Sequence, residues 1–595
     1  MKRSVTPGNM VLLLASFLFT CRLDSQELRP VKPEVQNKDH YQTPPWEEIF
    51  LQTDRTKYIA GEDVWFSIYT FDMETARLSA RSLIAYIELL NPWNIPVIQS
   101  RILLSGGRGD GSFSIPDSIS SGTYTIRAYT NWMKNFLPEN CFMEDIDIYN
   151  PFSDSGFRLK RGKLNSLKID EKSEEQEMSN RITLTSDTVF GRRQKVSLKL
   201  TAGTDNKGLS GINDFSVSIA PGKFIEGSQD MERWMLTRQK KWKEIFSKTV
   251  IKPRYSFENN GHILSVTIKY REKAIDSSDF VYMSIRGKVA VFDYAERDSS
   301  GRYNFILPAD SRLRNLILQP EDANNNMILE IEPSFSRVLP ASDGFVAVNT
   351  DSLANLFEEM SFNYQASRIY GISSKMRTET DNMQNLKKRR FYGIPEMEIF
   401  LDDYIKLPSM QEVFYELLPG INLRQRKTEY EILIINPLTG VFYNEPPLVM
   451  IDGVIINDLN ILADLNPELV EKIEVVKTPY LIGDLILHGI VNVLTRSGDF
   501  SDITMPEFAV MLPYRVTDPQ PVFTSPDYSD ENLRLGRIPD LRNTLYWNPS
   551  VKTNSKGEAE IEFWTSDIPG VYTISIQGVS SSGELVSLNR SFIVR

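Results

Sequence analysis

The chain is poor in the residues that most often carry metal and thiol chemistry. It has three histidines and two cysteines in 595 residues. His40, His262 and His488 are scattered, at no spacing that suggests a metal site. Cys141 has no internal disulfide partner if Cys21 is lipidated or removed, and a lone cysteine reads as a small buried hydrophobe. Basic charge is also short: 67 Lys and Arg face 78 Asp and Glu, a net charge of −11. That balance gives no broad cationic surface for a phosphate backbone and excludes nucleic acid as a partner. Lys387-Lys388-Arg389-Arg390 is a local basic cluster and reads as solvated linker. No P-loop, G-x-G-x-x-G after a strand, G-x-S-x-G or His-Glu-x-x-His occurs. The acidic pair Asp402-Asp403 reads as a solvated turn or helix cap. The expectation is no catalytic residue, no cofactor and no metal.

Long apolar runs are missing too. The longest is Met10 to Thr20, 11 mostly apolar residues behind Lys2 and Arg3. It is too short to span a bilayer and fits an export signal. Cys21 closes it in Leu18-Phe19-Thr20-Cys21, which is similar to a bacterial lipobox. Two readings stay open: Cys21 as the lipidated N-terminus of the mature chain, or cleavage near Leu23-Asp24-Ser25, before Gln26. Either sends the chain out of the cytoplasm, as an outer-membrane-associated envelope protein on the periplasmic or cell-surface face. Residues 22–45 follow as a polar, Pro-containing tether.

What the chain has in quantity is short β-rich runs between turn residues, over a length that suits about four domains. Residues 46–150 carry Val64 to Tyr69, Leu83 to Ile87 and Thr123 to Tyr129. This predicts a sandwich. Its Thr53-Asp54-Arg55, Tyr58 and Gly61, then Gly111-Ser112-Phe113-Ser114-Ile115-Pro116 and Gly122-Thr123-Tyr124-Thr125-Ile126-Arg127-Ala128, resemble the second macroglobulin domain of the α2-macroglobulin family. The family's thioester sequence Cys-Gly-Glu-Gln is absent from this chain. Residues 180–340 read as a second β region. Arg193 to Leu200 alternates at period two, and a helical insertion sits at about 228–247, with Trp234, Thr237, Trp242 and Phe246 loosely on one side. Residues 351–393 read as a helical linker. Residues 501–595 are expected to form a separate C-terminal β-sandwich, with Asn554-Ser555-Lys556-Gly557 as a hairpin turn.

Residues 394–500 break this pattern. Leu448 to Ile451 is an apolar run closed by Asp452-Gly453 and resumed by Val454-Ile455-Ile456, which predicts a hairpin. A short helix over Asn460–Leu465, a strand over Lys472–Lys477 and an apolar strand over Ile490–Leu494 follow. The series Pro447 to Val454, Leu465-Asn466-Pro467, Ile473-Glu474-Val475-Val476-Lys477 and Gly489 to Arg496 resembles the plug domain of TonB-dependent outer-membrane receptors. Asp452, Gly453, Glu474, Lys477, Gly489 and Asn492 carry the motif. Only 95 residues follow Phe500, too few for a receptor barrel of about 22 strands of roughly 9–11 residues each. The resemblances imply a mainly β fold: tandem macroglobulin or Ig-like sandwiches with an inserted α/β plug-like domain. They imply a non-enzymatic accessory or docking component of a TonB-dependent transport or surface complex. Its partners would be other envelope proteins, a TonB-dependent β-barrel transporter among them. The alternative is a macroglobulin-like surface protein that binds peptides or proteases.

Overall fold

The computed structural model describes residues 44–153, 157–160, 182–202, 213–246, 253–271, 278–321, 327–342, 344–348, 351–370, 377–378, 390–501, 505, 508–580 and 582–595. The expected signal, Cys21, His40, Lys387, Lys388 and Arg389 lie outside these residues. The described chain is mainly β, laid out in several sheets. Among the described residues no helix is long and apolar enough to cross a membrane.

The first sandwich faces Glu47–Thr53, Asp63–Asp72 and Arg108–Ser114 against a sheet built on Ile84–Leu90, Gly122–Thr130 and Phe142–Tyr149. The side chains between them, Phe50, Phe66, Tyr86 and Ile126 among others, are buried. The Thr53-Asp54-Arg55 segment makes a charged knot at one end. Asp54 accepts from the Tyr58 hydroxyl (2.8 Å) and the Trp65 N–H (3.0 Å). Arg55 pairs with Asp54 and Glu62, both at 3.2 Å. Ion pairs this deeply buried need every partner satisfied. The knot is completed from far along the chain, by Thr544 on Asp54 (2.5 Å) and Asn543 on Glu62 (2.8 Å).

The second sandwich corrects the expected domain order. Lys195–Ala202 pairs with Glu558–Trp564, and Asp214–Pro221 lies between Tyr546–Lys552 and Gly570–Val579. The C-terminal strands therefore complete the sandwich that Ile182–Thr185 begins, rather than forming their own. The Asn554–Gly557 turn is not a hairpin: its flanking strands enter different sheets. Turn residues fix a reversal of direction, whereas the partner of each strand is chosen by burial of its apolar face.

The third sandwich is inserted within the second. It comprises a sheet of His262–Tyr270, Arg302–Leu307 and Met327–Ile331 and a sheet of Val291–Glu296, Phe280–Ile285, Leu313–Pro320 and Val510–Arg515. One continuous core joins it to the first sandwich. Helix Met231–Phe246 packs against the first sandwich through Met231, Trp234 and Met235, with Trp234 5.3 Å from Phe50. The side chains of Trp242 and Phe246 lie outside the described residues. Helix Asp351–Tyr370 buries Phe357 and Met360 on Ile59 and Phe224. Cys141 is buried, and its thiol donates to the Pro138 carbonyl (3.3 Å).

The α/β unit is in turn inserted within the third sandwich. Its five-stranded sheet runs Met397–Phe400, Val470–Val476, Ile490–Thr495, Leu448–Ile451, Val454–Ile455. Leu448–Ile451 is parallel to Ile490–Thr495, and the other pairings are antiparallel. Such a central pair needs cover on both faces. Helix Met410–Leu417, capped by the Ser409 side chain, and the turn Asn460–Ala463 cover one face. The third sandwich covers the other, with Phe292 and Tyr294 against Met450, Ile455 and Ile490.

Candidate docking surface of the α/β unit

The six motif residues fall into three groups that hold the unit together. Asp452 and Gly453 form the hairpin turn. Both have positive φ, 47° and 76°. The Asp452 carboxylate is buried and accepts from the Thr495 N–H (2.7 Å), the Thr495 hydroxyl (2.5 Å) and the Phe500 N–H (3.0 Å). The Asp452 carbonyl accepts from Gly287 N–H at 2.9 Å. A Cβ on Gly453 would lie 2.8 Å from the Ile285 carbonyl oxygen. The turn is thus pressed against the third sandwich, and only glycine permits that approach.

Glu474 and Asn492 are opposite each other on adjacent strands and meet Tyr392. The Tyr392 hydroxyl donates to Glu474 and accepts from the Asn492 amide (3.1 Å). Arg390 and Lys472 pair with Glu474 at 2.6 and 2.7 Å. Burial, then the Glu474 carboxylate, pushes the Tyr392 hydroxyl far above its ordinary range. This cluster straps residues 390–392 to the sheet.

Lys477 and Gly489 sit at the far end of the sheet. Lys477 donates its N–H to Glu396 (3.1 Å) and its ammonium to the Pro419 carbonyl at the end of the helix. A Cβ on Gly489, which has a φ of 101°, would lie 2.7 Å from Ile434 Cδ1. Its absence admits close packing of the Ile421–Arg426 and Glu429–Ile434 hairpin. His488 stacks on Tyr443 at 5.4 Å. These residues are occupied with the fold, and none of the three groups opens a binding site.

The surface left open lies elsewhere. Met397–Phe400 ends the sheet and pairs on one side only, with Val470–Val476, among the described residues. Its outer N–H and C=O groups face away from the unit, as any sheet edge presents them. The chain then turns through Leu401–Asp403 and forms one wall of a cleft of about 400 Å³. Leu407, Val413, Leu417 and Pro467 line its floor. Tyr404 and Ile405 stand at its mouth, 46% and 83% exposed.

Two ion pairs cross the cleft. Asp402 takes a bidentate bond from Arg496 (2.6 and 2.9 Å), and Lys406 meets Glu468 at 2.7 Å. The Arg496 guanidinium holds the Asp402 carboxyl below its usual range, and Lys406 does the same for Glu468. Asp402 is thus a surface ion-pair partner in a turn. The pairs are exposed, so solvent screens them and they add little to stability. Among the described residues no cluster of three or more His, Cys, Asp or Glu side chains is placed to hold a metal.

Sequence patterning singled out neither Tyr404 nor Ile405, and it met Arg496 only as the end of the Gly489 to Arg496 series. The one available signal was the run of large apolar side chains between acidic residues from Phe400 to Leu407.

No family model and no curated relative matches this sequence. Among solved structures, the chain is similar to Escherichia coli α2-macroglobulin activated by porcine elastase. The identity is 10%, over 92% of this chain and 44% of that one, with a TM-score of 0.23. It is similar also to Salmonella α2-macroglobulin reacted with methylamine, at 9% identity over 93% of this chain and 40% of that one, with a TM-score of 0.23. This chain spans less than half the length of both structures. At that level of likeness, the fold assignment stands on the chain's own sheets.

Proposed function

We propose that this is a non-enzymatic envelope protein whose sandwiches are a frame and whose α/β unit docks an extended segment of another protein. One observation carries the reading: a sheet buried on both faces ends in the edge strand Met397–Phe400, paired on one side only among the described residues, beside an apolar cleft. Strand addition to such an edge is a recurrent mode of peptide recognition. The plug resemblance names the setting, an accessory or docking role in a TonB-dependent transport or surface complex at the outer membrane. The export signal and Cys21 support that location.

A second reading is macroglobulin-like capture of peptides or proteases. Residues 529–538 favour it. They form an exposed segment with Leu533, Leu535 and Ile538 57%, 72% and 50% exposed. Arg193 holds it, donating to the carbonyls of Leu533 (3.0 Å) and Gly536 (2.9 Å). Exposed segments of this kind are favoured protease sites.

Co-purification from intact, crosslinked envelopes separates the readings. Docking predicts a β-barrel partner that is lost when Tyr404 and Ile405 are both changed to Asp. Recovery of a protease or free peptides, unaffected by that change, would support the second reading and end the first.

A further inference from the structure

A second cleft, of about 480 Å³, opens beside the Asp54–Arg55 knot, where the first sandwich, helix Asp351–Tyr370 and the segments around Phe523 and Leu541 meet. Clefts of this size take small organic molecules. Part of the lining is apolar: Trp65 meets Phe523 edge-on at 5.4 Å, and Ile115 and Leu541 add to it. Gly61 makes room at the bottom of the strand Asp63–Asp72. It has a φ of 91°, and a Cβ there would collide with the Asp117 carboxylate and the Tyr364 hydroxyl. Only glycine lets those two groups close over the backbone.

The charges of the lining do not all face a ligand. Arg55 is taken up by Asp54 and Glu62, both at 3.2 Å. Glu62 also accepts from the Asn543 amide at 2.8 Å. Arg542 is closed in by Asp540 (3.0 Å) and by the carbonyls of Leu545 (3.2 Å) and Trp564 (2.9 Å). Arg368 is exposed and leans on Tyr364, 3.5 Å from its hydroxyl. That leaves the carboxylates of Asp63 and Asp117. Asp63 is half-buried and accepts from the Ser114 hydroxyl at 2.5 Å. Burial raises its carboxyl above the ordinary range, against the lowering by that hydroxyl. Asp117 is exposed, and no described basic group pairs with either.

Ser367 supplies an independent sign of a missing partner. It belongs to the same lining, is 7% exposed, and its hydroxyl has no hydrogen-bond partner. A buried hydroxyl left unpaired costs free energy that a bound group recovers. An ammonium has three N–H donors and no acceptor. Two free carboxylates and a free hydroxyl oxygen complement it, and aromatic rings favour a cation on an apolar body. Among the described residues no group of three His, Cys, Asp or Glu side chains is placed to hold a metal, so an organic cation suits the cleft better than a metal ion.

We propose that this cleft binds a small primary amine carried on an apolar or aromatic body, with the ammonium between Asp63 and Asp117 and the body against Trp65 and Phe523. A free amine and the lysine side chain of a peptide share this chemistry. The site is separate from the α/β unit, and docking there does not depend on it.

The test titrates the full mature chain with phenethylamine at neutral pH, observed by ligand NMR. The controls have nearly the same shape: neutral phenethyl alcohol and anionic hydrocinnamate. The amine is expected to bind at least about tenfold more tightly than the alcohol, with the preference shrinking as salt rises, and hydrocinnamate more weakly than either. Asp117→Asn alters an exposed side chain. It should leave the melting temperature unchanged, weaken the amine severalfold and leave the alcohol alone. Asp63→Asn with Asp117→Asn should erase the preference. A blocked Ala-Lys-Ala peptide separates the two sources: binding as tight as the amine's makes a peptide lysine the ligand, and its failure while the amine binds makes the ligand a free amine. Equal affinity for amine and alcohol, or an amine preference that survives Asp117→Asn undiminished, overturns the proposal.

Discussion

The Asp452 carboxylate is tied to Thr495 twice, through the Thr495 backbone N–H at 2.7 Å and its hydroxyl at 2.5 Å. A turn residue thereby locks the end of the strand that runs parallel to its own hairpin. The same carboxylate holds the Phe500 N–H, where the chain leaves the unit. Asp452→Ala would strand these buried donors and should destabilise the α/β unit by about 2–3 kcal/mol. Hydrogen exchange would show the loss in residues 448–500 before the sandwiches. Uniform loss across the chain would mean that the unit has no local stability of its own.

Gly453 reports the contact between the α/β unit and the third sandwich. Gly453→Ala pushes a methyl group into the Ile285 carbonyl and strains a residue at φ 76°. The expected cost is about 1–3 kcal/mol. It should appear as faster proteolysis of the α/β unit, with the second sandwich unchanged. Wild-type resistance in the variant would refute the close contact.

Lys134 makes a pH signature at the junction of the first and third sandwiches. It donates to Asn131 (2.8 Å) and the Ser334 carbonyl and lies over the Tyr86 ring at 4.1 Å. Burial pulls its ammonium down to about 8, although Glu258, Glu88 and Glu332 act to raise it and Arg101 adds to the fall. Above pH 8 the unfolded chain still holds a proton that the folded chain has released. Stability should therefore rise with pH from about 8 toward 9.5, by about 1–2 kcal/mol. Denaturant titrations of wild type and Lys134→Met would show it as a slope that the variant lacks.

Glu258 in the same junction acts in acid. Burial raises its carboxyl, but His262 at 2.8 Å, Lys134 and the Ile263 N–H outweigh burial and hold it below its usual range. Its contribution is complete above the ordinary glutamate value, about 4.3, and is lost as pH falls below that. Tyr86 donates to it at 3.0 Å, and Tyr514 meets His262 Nε2 at 2.6 Å. Glu258→Gln should make the first and third sandwiches less stable at neutral pH and less sensitive to acid. An unchanged acid midpoint would assign the acid response to another carboxylate.

Much of the local structure was legible because burial imposes a period. Lys195–Ala202 alternates, Ile490–Thr495 is a compact apolar run, and Asp452-Gly453 does form a tight turn. Strand pairing was not legible. Leu198 faces Ile561 across the sheet, yet an alternating strand looks the same whether its partner is ten or several hundred residues away. The nested insertions were hidden for that reason. Helix Met231–Phe246 misled on its facing, because Met231 and Met235 joined Trp234 in the core. The docking surface was obscured by long-range geometry: Asp402 and Arg496 are 94 residues apart and meet only when the sheet is formed.

The most direct test of docking is site-specific photocrosslinking in intact envelopes. A photoreactive amino acid is placed at Tyr404, beside the open edge, or at Leu533, in the exposed segment that Arg193 holds. Docking at the α/β unit predicts a specific adduct from Tyr404 with a β-barrel envelope protein and none from Leu533. Adducts from Leu533 alone, or a protease captured there, would contradict it.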